Sequence, residues 1–375
     1  MDKNTFLKQL EPLVNVDCGT HLTAGVAKIA DLITEKYQNL KGWHITRKDL
    51  GDKVGPGLLI TNRENPTHYD VMLIGHLDTV FPEGTVAARP FRVEGDRAYG
   101  PGVADMKAGV LLMYAAVSEL DAQDLDALSI AILHNPDEET GSVYSEAWIL
   151  EEAAKADYVL VCEAARADGS LVKLRKGSGN FLLEFHGVAA HAGNDPASGR
   201  SALVEMSHWI LDLKKFNEND IGTTLTVGLA SGGNATNVVP DYARATVDFR
   251  FWQNDELPRL ERYMEERVKN TFTPDIKVKI TKTSEKLAMQ MSPKTEQLMA
   301  LVEKAGKAVN HEVRWQSVGG GSDANITSAH GIASLDGFGP IGACFHSDKE
   351  YLEINSIEPC LAFLKSVLKH IAAQK

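Results

Sequence analysis

The sequence predicts an α/β protein: a mixed, mostly parallel sheet flanked by helices, with an inserted ferredoxin-like α+β unit. Between about residues 57 and 163, short apolar strands alternate with helical stretches, which indicates a parallel sheet with helices on its faces. Further along the chain the predicted order becomes β-α-β-β-α-β, which is the order of a ferredoxin-like unit. A chain of 375 residues also exceeds the usual size of one hydrophobic core, so we expect two domains.

Apolar periodicity predicts the elements of the first part. A helix is predicted where apolar residues recur every three or four positions, and a buried strand where a short apolar run occurs. One helical face is marked by Leu22, Val26, Ile29, Ile33 and Tyr37. The other predicted elements here are helices at 106–120 and 143–155 and buried strands at 71–74, 128–133 and 158–162.

The inserted unit is predicted from six elements. Its strands are expected at 180–187, 223–230, 243–251 and 276–283, and its helices at 201–211 and 255–268. The chain then returns to the first part through a helix at 293–308, a glycine turn at 319–321 and an amphipathic helix at 357–371. We therefore expect a main domain formed by residues 1–177 and 287–375, and a small domain formed by residues 178–286.

Charge and composition argue against several partners and locations. The formal net charge of −12 opposes binding to nucleic acid or to an anionic membrane. The N-terminal sequence lacks the apolar core of a signal peptide, and no apolar run has membrane-spanning length, so we expect a cytoplasmic protein. The cysteines form no CxxC pair, which predicts reduced, buried thiols at Cys18, Cys162, Cys344 and Cys360.

Potential metal ligands stand where the predicted strands end. His76 follows strand 71–74, the pair Glu138 and Glu139 follows strand 128–133, and Glu163 follows strand 158–162. Ligands of an open α/β sheet bind beyond the carboxyl ends of its strands. With Asp105 and His346, these side chains would supply two imidazoles and three carboxylates, which suit a pair of divalent cations and zinc above all. Metal-assisted hydrolysis is therefore the leading hypothesis.

Several of these residues have alternative interpretations. Asp78 lies two positions after His76, and a carboxylate commonly accepts the second ring proton of a metal-bound histidine, so Asp78 is expected to orient His76. Asp105 could instead cap the helix that follows it, and both roles are compatible. Glu138 and Glu139 cannot face the same way on an extended backbone, so one can bind metal while the other accepts a proton. A solvated surface turn is the alternative for such an acidic pair.

Seven segments together resemble the co-catalytic zinc aminoacylase/carboxypeptidase G family of metallopeptidases. The resemblance runs nearly the full chain and is closest to the glutamate carboxypeptidase (carboxypeptidase G) branch. The segments are GHLDTV at 75–80, GPGVADMKAG at 100–109, DEETGS at 137–142, AHAG at 190–193, NATNVVP at 234–240, GGGSDA at 319–324 and HSDKEY at 346–351.

The resemblance implies a zinc-peptidase-like catalytic main domain with two Zn²⁺ ions per subunit, for which Co²⁺ or Mn²⁺ could substitute. His76 and Glu163 would bind one ion, Glu139 and His346 would bind the other, and Asp105 would bridge them. The peptide bond after the bridging aspartate is expected to be cis. The small domain would be a lid and would form a homodimer.

The resemblance also implies catalytic roles outside the ligand set. Asp78 would orient His76, and Glu138 would be the general base that takes a proton from the attacking water and delivers it to the leaving amine. His191 stands between small residues that leave its ring accessible. It would stabilise the oxyanion in the partner subunit's active site, with help from Asn237.

The expected substrate is a small molecule or peptide with a free carboxylate. Arg250 matches the position that holds the terminal carboxylate, and Lys286 and Gly320 would also contact the substrate. The carboxypeptidase G branch has arginine where Lys286 stands, and lysine lacks the bidentate fork of arginine. The predicted function is cleavage of the amide bond next to a C-terminal amino acid, with glutamate as one candidate. The alternatives are a deacylase or dipeptidase on N-acyl amino acids or dipeptides, and a metal-stabilised binding protein.

Overall fold

The structure is a computed structural model that describes residues 1–375. The chain divides into two compact units. The first unit comprises Met1–Leu174, Gln290–Val318 and Ser322–Lys375, and the second comprises Arg175–Met289 and Gly319–Gly321. The boundaries drawn from the sequence, after residue 177 and before residue 287, differ by three residues at each junction, and they place the 319–321 turn in the main domain. A catalytic role for the first unit and a lid role for the second remain proposals.

Four of the helices begin at a residue whose side chain caps them. Ser292 caps the ninth helix by accepting the backbone N–H of Thr295, and Pro293 occupies its first turn. That helix has the predicted bounds. The helices are α1 (Lys3–Val14), α2 (Thr23–Gln38), α3 (Thr85–Ala88), α4 (Ala108–Ser118), α5 (Ala122–Ala127), α6 (Glu146–Ala153), α7 (Ala202–Leu213), α8 (Glu256–Lys269), α9 (Pro293–Ala308), α10 (Asp323–Ala329) and α11 (Ile357–Ala372).

Nineteen strands complete the chain. They are β1 (His44–Lys48), β2 (Gly57–Thr61), β3 (Tyr69–His76), β4 (Arg92–Glu94), β5 (Arg97–Tyr99), β6 (Ile130–Asn135), β7 (Ala156–Val161), β8 (Ala164–Ala165), β9 (Leu171–Arg175), β10 (Gly177–His186), β11 (Ala190–His191), β12 (Thr224–Gly232), β13 (Val238–Val239), β14 (Tyr242–Phe251), β15 (Lys277–Lys286), β16 (Trp315–Val318), β17 (Ala333–Asp336), β18 (Gly339–Ala343) and β19 (Tyr351–Glu353).

The main sheet of the first unit has the strand order β1-β2-β6-β3-β7-β17-β9-β16. Its four central strands, β6, β3, β7 and β17, are parallel neighbours. The pairs β1–β2, β2–β6 and β17–β9 are antiparallel. Helices cover the sheet, and α4 is buried along almost its whole length. The predicted α/β class with a mostly parallel sheet is therefore confirmed, and the parallel pairing brings the carboxyl ends of β3, β6 and β7 to one edge.

The second unit is built on an antiparallel sheet of order β12-β14-β10-β15. The elements follow the chain as β10-α7-β12-β14-α8-β15, and β11 and β13 form a separate two-stranded pair. Alternate residues of β10 are buried, and Phe181, Leu183 and Phe185 pack with Trp209 of α7 and Leu260 of α8. Both helices therefore cover the same face of the sheet, as in a ferredoxin-like unit.

The structure bears on the expectations about membrane-spanning segments and about the cysteines. None of the helices combines the length and apolar character that crossing a bilayer requires. All four cysteines are free, and Cys18, Cys162 and Cys360 are buried as expected. The expectation of burial is wrong for Cys344, which is exposed because it lies in the loop that leads from β18 to His346.

Candidate metal centre

Three of the predicted ligands lie at the edge where the parallel strands end. His76 is the last residue of β3, and the 3₁₀ turn Glu138–Thr140 follows β6. Glu163 lies just beyond the end of β7. Because β3 pairs in parallel with both β6 and β7, these residues converge. The strand ends therefore position these side chains as the sequence pattern predicted.

Asp105 reaches the same edge from a different element. It lies in the turn Val103–Lys107 that precedes α4, with non-helical φ/ψ values of −112° and 91°. The peptide bond between Asp105 and Met106 is cis, as the resemblance implied. Lys107, not Asp105, directly precedes α4, and no side chain caps that helix. The helix-cap interpretation of Asp105 is therefore wrong, and its carboxylate instead faces two histidines.

The five predicted ligands form two groups that share Asp105. In the first, Nε2 of His76 lies 3.2 Å from Oδ1 of Asp105 and 3.6 Å from Oε1 of Glu163. In the second, Nε2 of His346 lies 3.2 Å from Oδ2 of Asp105 and 3.1 Å from Oε2 of Glu139. Within each group, one ligand atom from every member lies within 4.8 Å of the others. The two Asp105 oxygens thus face different groups.

The burial and charge of these residues fit metal binding. Oε1 of Glu139 is buried and has no hydrogen-bond partner. Burial raises the pKa of Glu139 to about 7 and that of Glu163 well above its ordinary value. Buried carboxylates of this kind are normally paired or coordinate a metal. Two imidazoles and three carboxylates form a donor set that suits zinc or a similar divalent ion.

The surrounding carboxylates raise the pKa of both imidazoles in the metal-free chain. Hydrogen bonds to Asp105 and Glu139 raise the pKa of His346 to about 10. Burial alone would lower the pKa of His76, but the carboxylates of Glu163, Asp105 and Asp78 raise it well above its ordinary value. Because a histidine must be neutral at the coordinating nitrogen, metal binding would release these protons.

Asp78 supports the centre without belonging to either group. Nδ1 of His76 lies 3.0 Å from the backbone oxygen of Asp78 and 3.3 Å from its Oδ1. A carbonyl can only accept, so Nδ1 carries the proton and Nε2 is available as a ligand atom. The Asp78 carboxylate also accepts from the Thr20 hydroxyl at 2.6 Å and from the backbone N–H groups of Glu138 and Glu139, at 3.2 Å each. Asp78 therefore contacts both His76 and the acidic turn, and its orienting role remains a proposal.

Glu138 lies beside the two groups and is not a member of either. Its side chain is half-buried, and its charge contributes to the raised pKa values of Glu139 and Glu163. The Glu138 carboxylate is thus close to the carboxylates of Glu139 and Glu163, while Glu139 faces His346. Only Glu139 of the acidic pair therefore belongs to a candidate ligand group, and an acid–base role for Glu138 remains a proposal.

Sequence reasoning missed two buried charged residues that hold the Asp105 turn. The carboxylate of Glu350 accepts the backbone N–H groups of Gly102, Ala104 and Asp105 at 2.9, 2.9 and 3.0 Å. Burial, with the nearby Asp105 carboxylate, raises the pKa of Glu350 to about 7. Lys107 donates to the carbonyl oxygens of Val16 at 3.1 Å and Pro101 at 3.0 Å. Both residues lie in segments that carry the family resemblance, but the sequence does not show that the segments touch, since Glu350 lies 245 residues beyond Asp105.

His191 and Asn237 are neighbours within the second unit. The β11–β13 pair aligns His191 with Val238, and the backbone oxygen of Asn237 accepts the N–H of Ala192 at 2.9 Å. Nδ1 of His191 accepts the backbone N–H groups of Gly193 and Asn194, at 3.1 Å each. These two bonds leave the proton on Nε2, so the exposed ring presents a hydrogen-bond donor.

Arg250 and Lys286 lie in one cross-strand row of the second unit. Both align with Ser178, Arg250 from β14 and Lys286 from β15, so all three side chains share a face of the sheet. This is the face opposite α7 and α8. The carboxylate of Asp248 accepts hydrogen bonds from Nε of Arg250 at 2.9 Å and from Nη2 of Arg250 at 2.9 Å. The backbone oxygen of Gly320, also in this unit, accepts from Arg175 at 2.9 Å.

Comparison with known proteins identifies the family. A model of peptidase family M20/M25/M40 matches residues 72–370. The chain belongs to this family. The predicted resemblance is therefore confirmed at family level, and the chain is an M20 metallohydrolase, an enzyme of the peptidase and amidohydrolase type.

Two relatives by sequence and one solved structure illustrate the range of the likeness. Carboxypeptidase G2 from Pseudomonas sp. (strain RS-16) is 32% identical over 386 residues, which cover 100% of this chain and 91% of that protein. Succinyl-diaminopimelate desuccinylase from Gluconobacter oxydans (strain 621H) is 28% identical over 308 residues, covering 78% of each. The crystal structure of aminopeptidase PepT from Bacillus cereus ATCC 10987 superposes with a TM-score of 0.83 at 21% identity, covering 99% of both chains, and shows a shared fold.

Proposed function

We propose that this M20 enzyme is a zinc-dependent exopeptidase that cleaves the amide bond next to a C-terminal amino acid. The observation that carries the proposal is the pair of ligand groups sharing Asp105. His76 and Glu163 would hold one cation, and Glu139 and His346 the other. When bound, two such cations polarise a scissile carbonyl and lower the pKa of a water molecule. The similarity to carboxypeptidase G2 supports attack at the C-terminal residue.

Glu138 is the proposed general base. It would take a proton from the attacking water and return it to the leaving amine, a transfer that usually contributes about 10²- to 10⁴-fold to the rate. Its backbone N–H is held by Asp78, so the acidic turn is fixed relative to His76. Oε2 of its neighbour Glu139 lies 3.1 Å from Nε2 of His346, so the two glutamates would have separate roles.

His191 is the proposed donor to the oxyanion that forms on the carbonyl. A donor of this kind must present an N–H group, and the bonds from Gly193 and Asn194 place the proton of His191 on Nε2. Donors aimed at developing charge are usually the largest electrostatic contribution to such a reaction. Asn237, adjacent to His191, is proposed to assist. In the proposed homodimer, His191 would serve the partner subunit's active site.

The row containing Arg250, Ser178 and Lys286 is the proposed site for the leaving amino acid. The two positively charged side chains of this row, Arg250 and Lys286, match the two carboxylates of a C-terminal glutamate. The Asp248 contacts use Nε and Nη2 of Arg250, so a substrate carboxylate would approach at Nη1. Lys286 would bind as a point charge and without the bidentate geometry of arginine. Gly320 is proposed to contact the substrate through its backbone.

A substrate panel tests the proposed function. The purified enzyme, loaded with zinc, is expected to hydrolyse N-acyl-glutamates and folyl conjugates faster than plain dipeptides and N-succinyl amino acids, and a chelator is expected to abolish the activity. Faster cleavage of dipeptides would favour a dipeptidase, and faster removal of an acyl group from varied amino acids would favour a deacylase. A chelator that lowers the melting temperature while no panel member is hydrolysed would favour a binding protein.

We further propose that the second unit forms the homodimer. Its edge strand β12 carries Leu229, which is 71% exposed, and an exposed edge strand offers unpaired backbone groups to another chain. α7, which packs beside β12, presents Val204 and Leu211 on one exposed face, seven residues apart. Burying these apolar side chains between two copies would remove them from water.

Charged substitutions on this surface are expected to separate the subunits. The double variant Leu211→Asp and Leu229→Asp would place unpaired carboxylates in the interface, so sedimentation velocity should report a monomer where the wild type is a dimer. Val309→Asp changes an exposed apolar residue of the first unit and should leave the dimer intact. A monomeric wild type, or a dimeric double variant, would contradict this proposal.

A further inference from the structure

We propose that Glu350 is a positioning residue that holds the Asp105 carboxylate in place relative to the imidazole of His346. The inference rests on the proposed two-metal function, which assigns no role to Glu350. The side chain is 1% exposed and its carboxylate accepts three backbone N–H groups. One of these donors is the backbone of Asp105 itself. Glu350 therefore acts directly on the residue that both ligand groups share.

The Asp105 turn depends on side chains for its hydrogen bonds. Gly100 and Gly102 have φ values of 147° and 71°, and Asp105 and Met106 are non-helical, so the backbone here follows no regular helix or strand. Buried backbone N–H groups need acceptors, and Glu350 supplies three contacts with two oxygens. Oε2 takes the N–H of Gly102, and Oε1 takes those of Ala104 and Asp105.

Glu350 also connects the Asp105 turn to the segment that carries His346. Glu350 lies four positions after His346, and the two Asp105 oxygens face His76 and His346 at 3.2 Å each. Moving the Asp105 backbone by a fraction of an ångström would therefore change both groups at once. A residue that only stabilised the fold would have no such selective effect on the ligand geometry.

The variant Glu350→Gln keeps the side-chain shape but turns one acceptor oxygen into an NH₂ donor facing backbone N–H groups. Glu350→Asp keeps the charge and both acceptors on a shorter stem. Glu353→Gln is a matched control, since Glu353 lies three residues further on and accepts from Arg97 at the surface, away from the Asp105 turn. Each variant is prepared metal-free, and its melting temperature is recorded before any metal is added.

Competition with a chromophoric chelator then measures the affinity for Zn²⁺, and the visible absorption of the Co²⁺ form reports ligand geometry. Glu350→Gln is expected to weaken both Zn²⁺ equilibria about 10- to 100-fold, the usual effect of losing a partner that orients ligands, and to alter the Co²⁺ spectrum. Glu350→Asp should recover part of the affinity, and Glu353→Gln should match the wild type.

Two outcomes separate this inference from the proposed function. If the wild type binds two Zn²⁺ ions and Glu350→Gln binds both with unchanged affinity and an unchanged Co²⁺ spectrum, the positioning role is refuted and the two-metal function stands, whatever the melting temperature of the variant. If the wild type binds fewer than two ions, the two-metal proposal fails, and the positioning role fails with it. Should Glu350→Gln not fold, Glu350→Asp with wild-type affinity and spectrum refutes the positioning role.

Discussion

Glu138→Gln should lower kcat by about 10²- to 10⁴-fold while the enzyme keeps both metal ions. The amide of glutamine cannot accept a proton from the attacking water, so the proposed acid–base step is lost. Metal content should not change, because Glu138 belongs to neither ligand group and Asp78 holds the turn through backbone N–H groups that the variant retains. Steady-state kinetics and elemental analysis of the same sample measure both quantities.

Glu146→Gln provides the control for this experiment. Glu146 is an exposed residue in the first turn of α6, eight positions after Glu138 along the chain. Its replacement by glutamine removes the same charge as Glu138→Gln does. Its kcat should stay near the wild-type value. If Glu138→Gln kept full activity with normal metal content, another residue would have to act as the base.

His346→Ala should abolish binding of one cation and preserve the other. The group formed by Asp105, Glu139 and His346 would lose its only imidazole, while His76, Asp105 and Glu163 remain. The metal-free protein should still fold, because the His346 side chain is 55% exposed and its loss creates no cavity in the core. Elemental analysis is expected to find close to one zinc per chain. Hydrolysis should fall at least about 10²-fold, since one cation cannot replace two.

His44→Ala is the matched control for loss of an imidazole. His44 is exposed at the start of β1 and belongs to neither ligand group. That variant should retain both metal ions and full activity. Two zinc ions per chain in His346→Ala, or unchanged hydrolysis, would contradict the assignment of His346 as a ligand.

Local patterns predicted most of the fold. The bounds of α9 were predicted from the sequence, and the structure shows Ser292 capping this helix and Pro293 in its first turn, both of which act within a few residues of its start. The strands β3, β6 and β7 were found as short apolar runs because they are buried in the centre of the sheet. Residues that follow such strands converge whenever the strands are parallel, so the sequence alone places His76, Glu139 and Glu163 together.

The contacts that support the centre could not be predicted in this way. Thr20 bonds to Asp78 across 58 residues and Glu350 bonds to Asp105 across 245, and such pairings depend on tertiary packing. The position of Asp105 also depends on an irregular turn, for which periodicity carries no information. For the same reason the general expectation of buried thiols failed at Cys344, where a loop exposes the side chain.

Anomalous X-ray diffraction at the zinc edge, from crystals grown with zinc, tests the central claim most directly. The account predicts two peaks in each chain, one beside His76 and Glu163 and the other beside Glu139 and His346, with an Asp105 oxygen bound to each. A single peak, or two peaks that do not share Asp105, would contradict it.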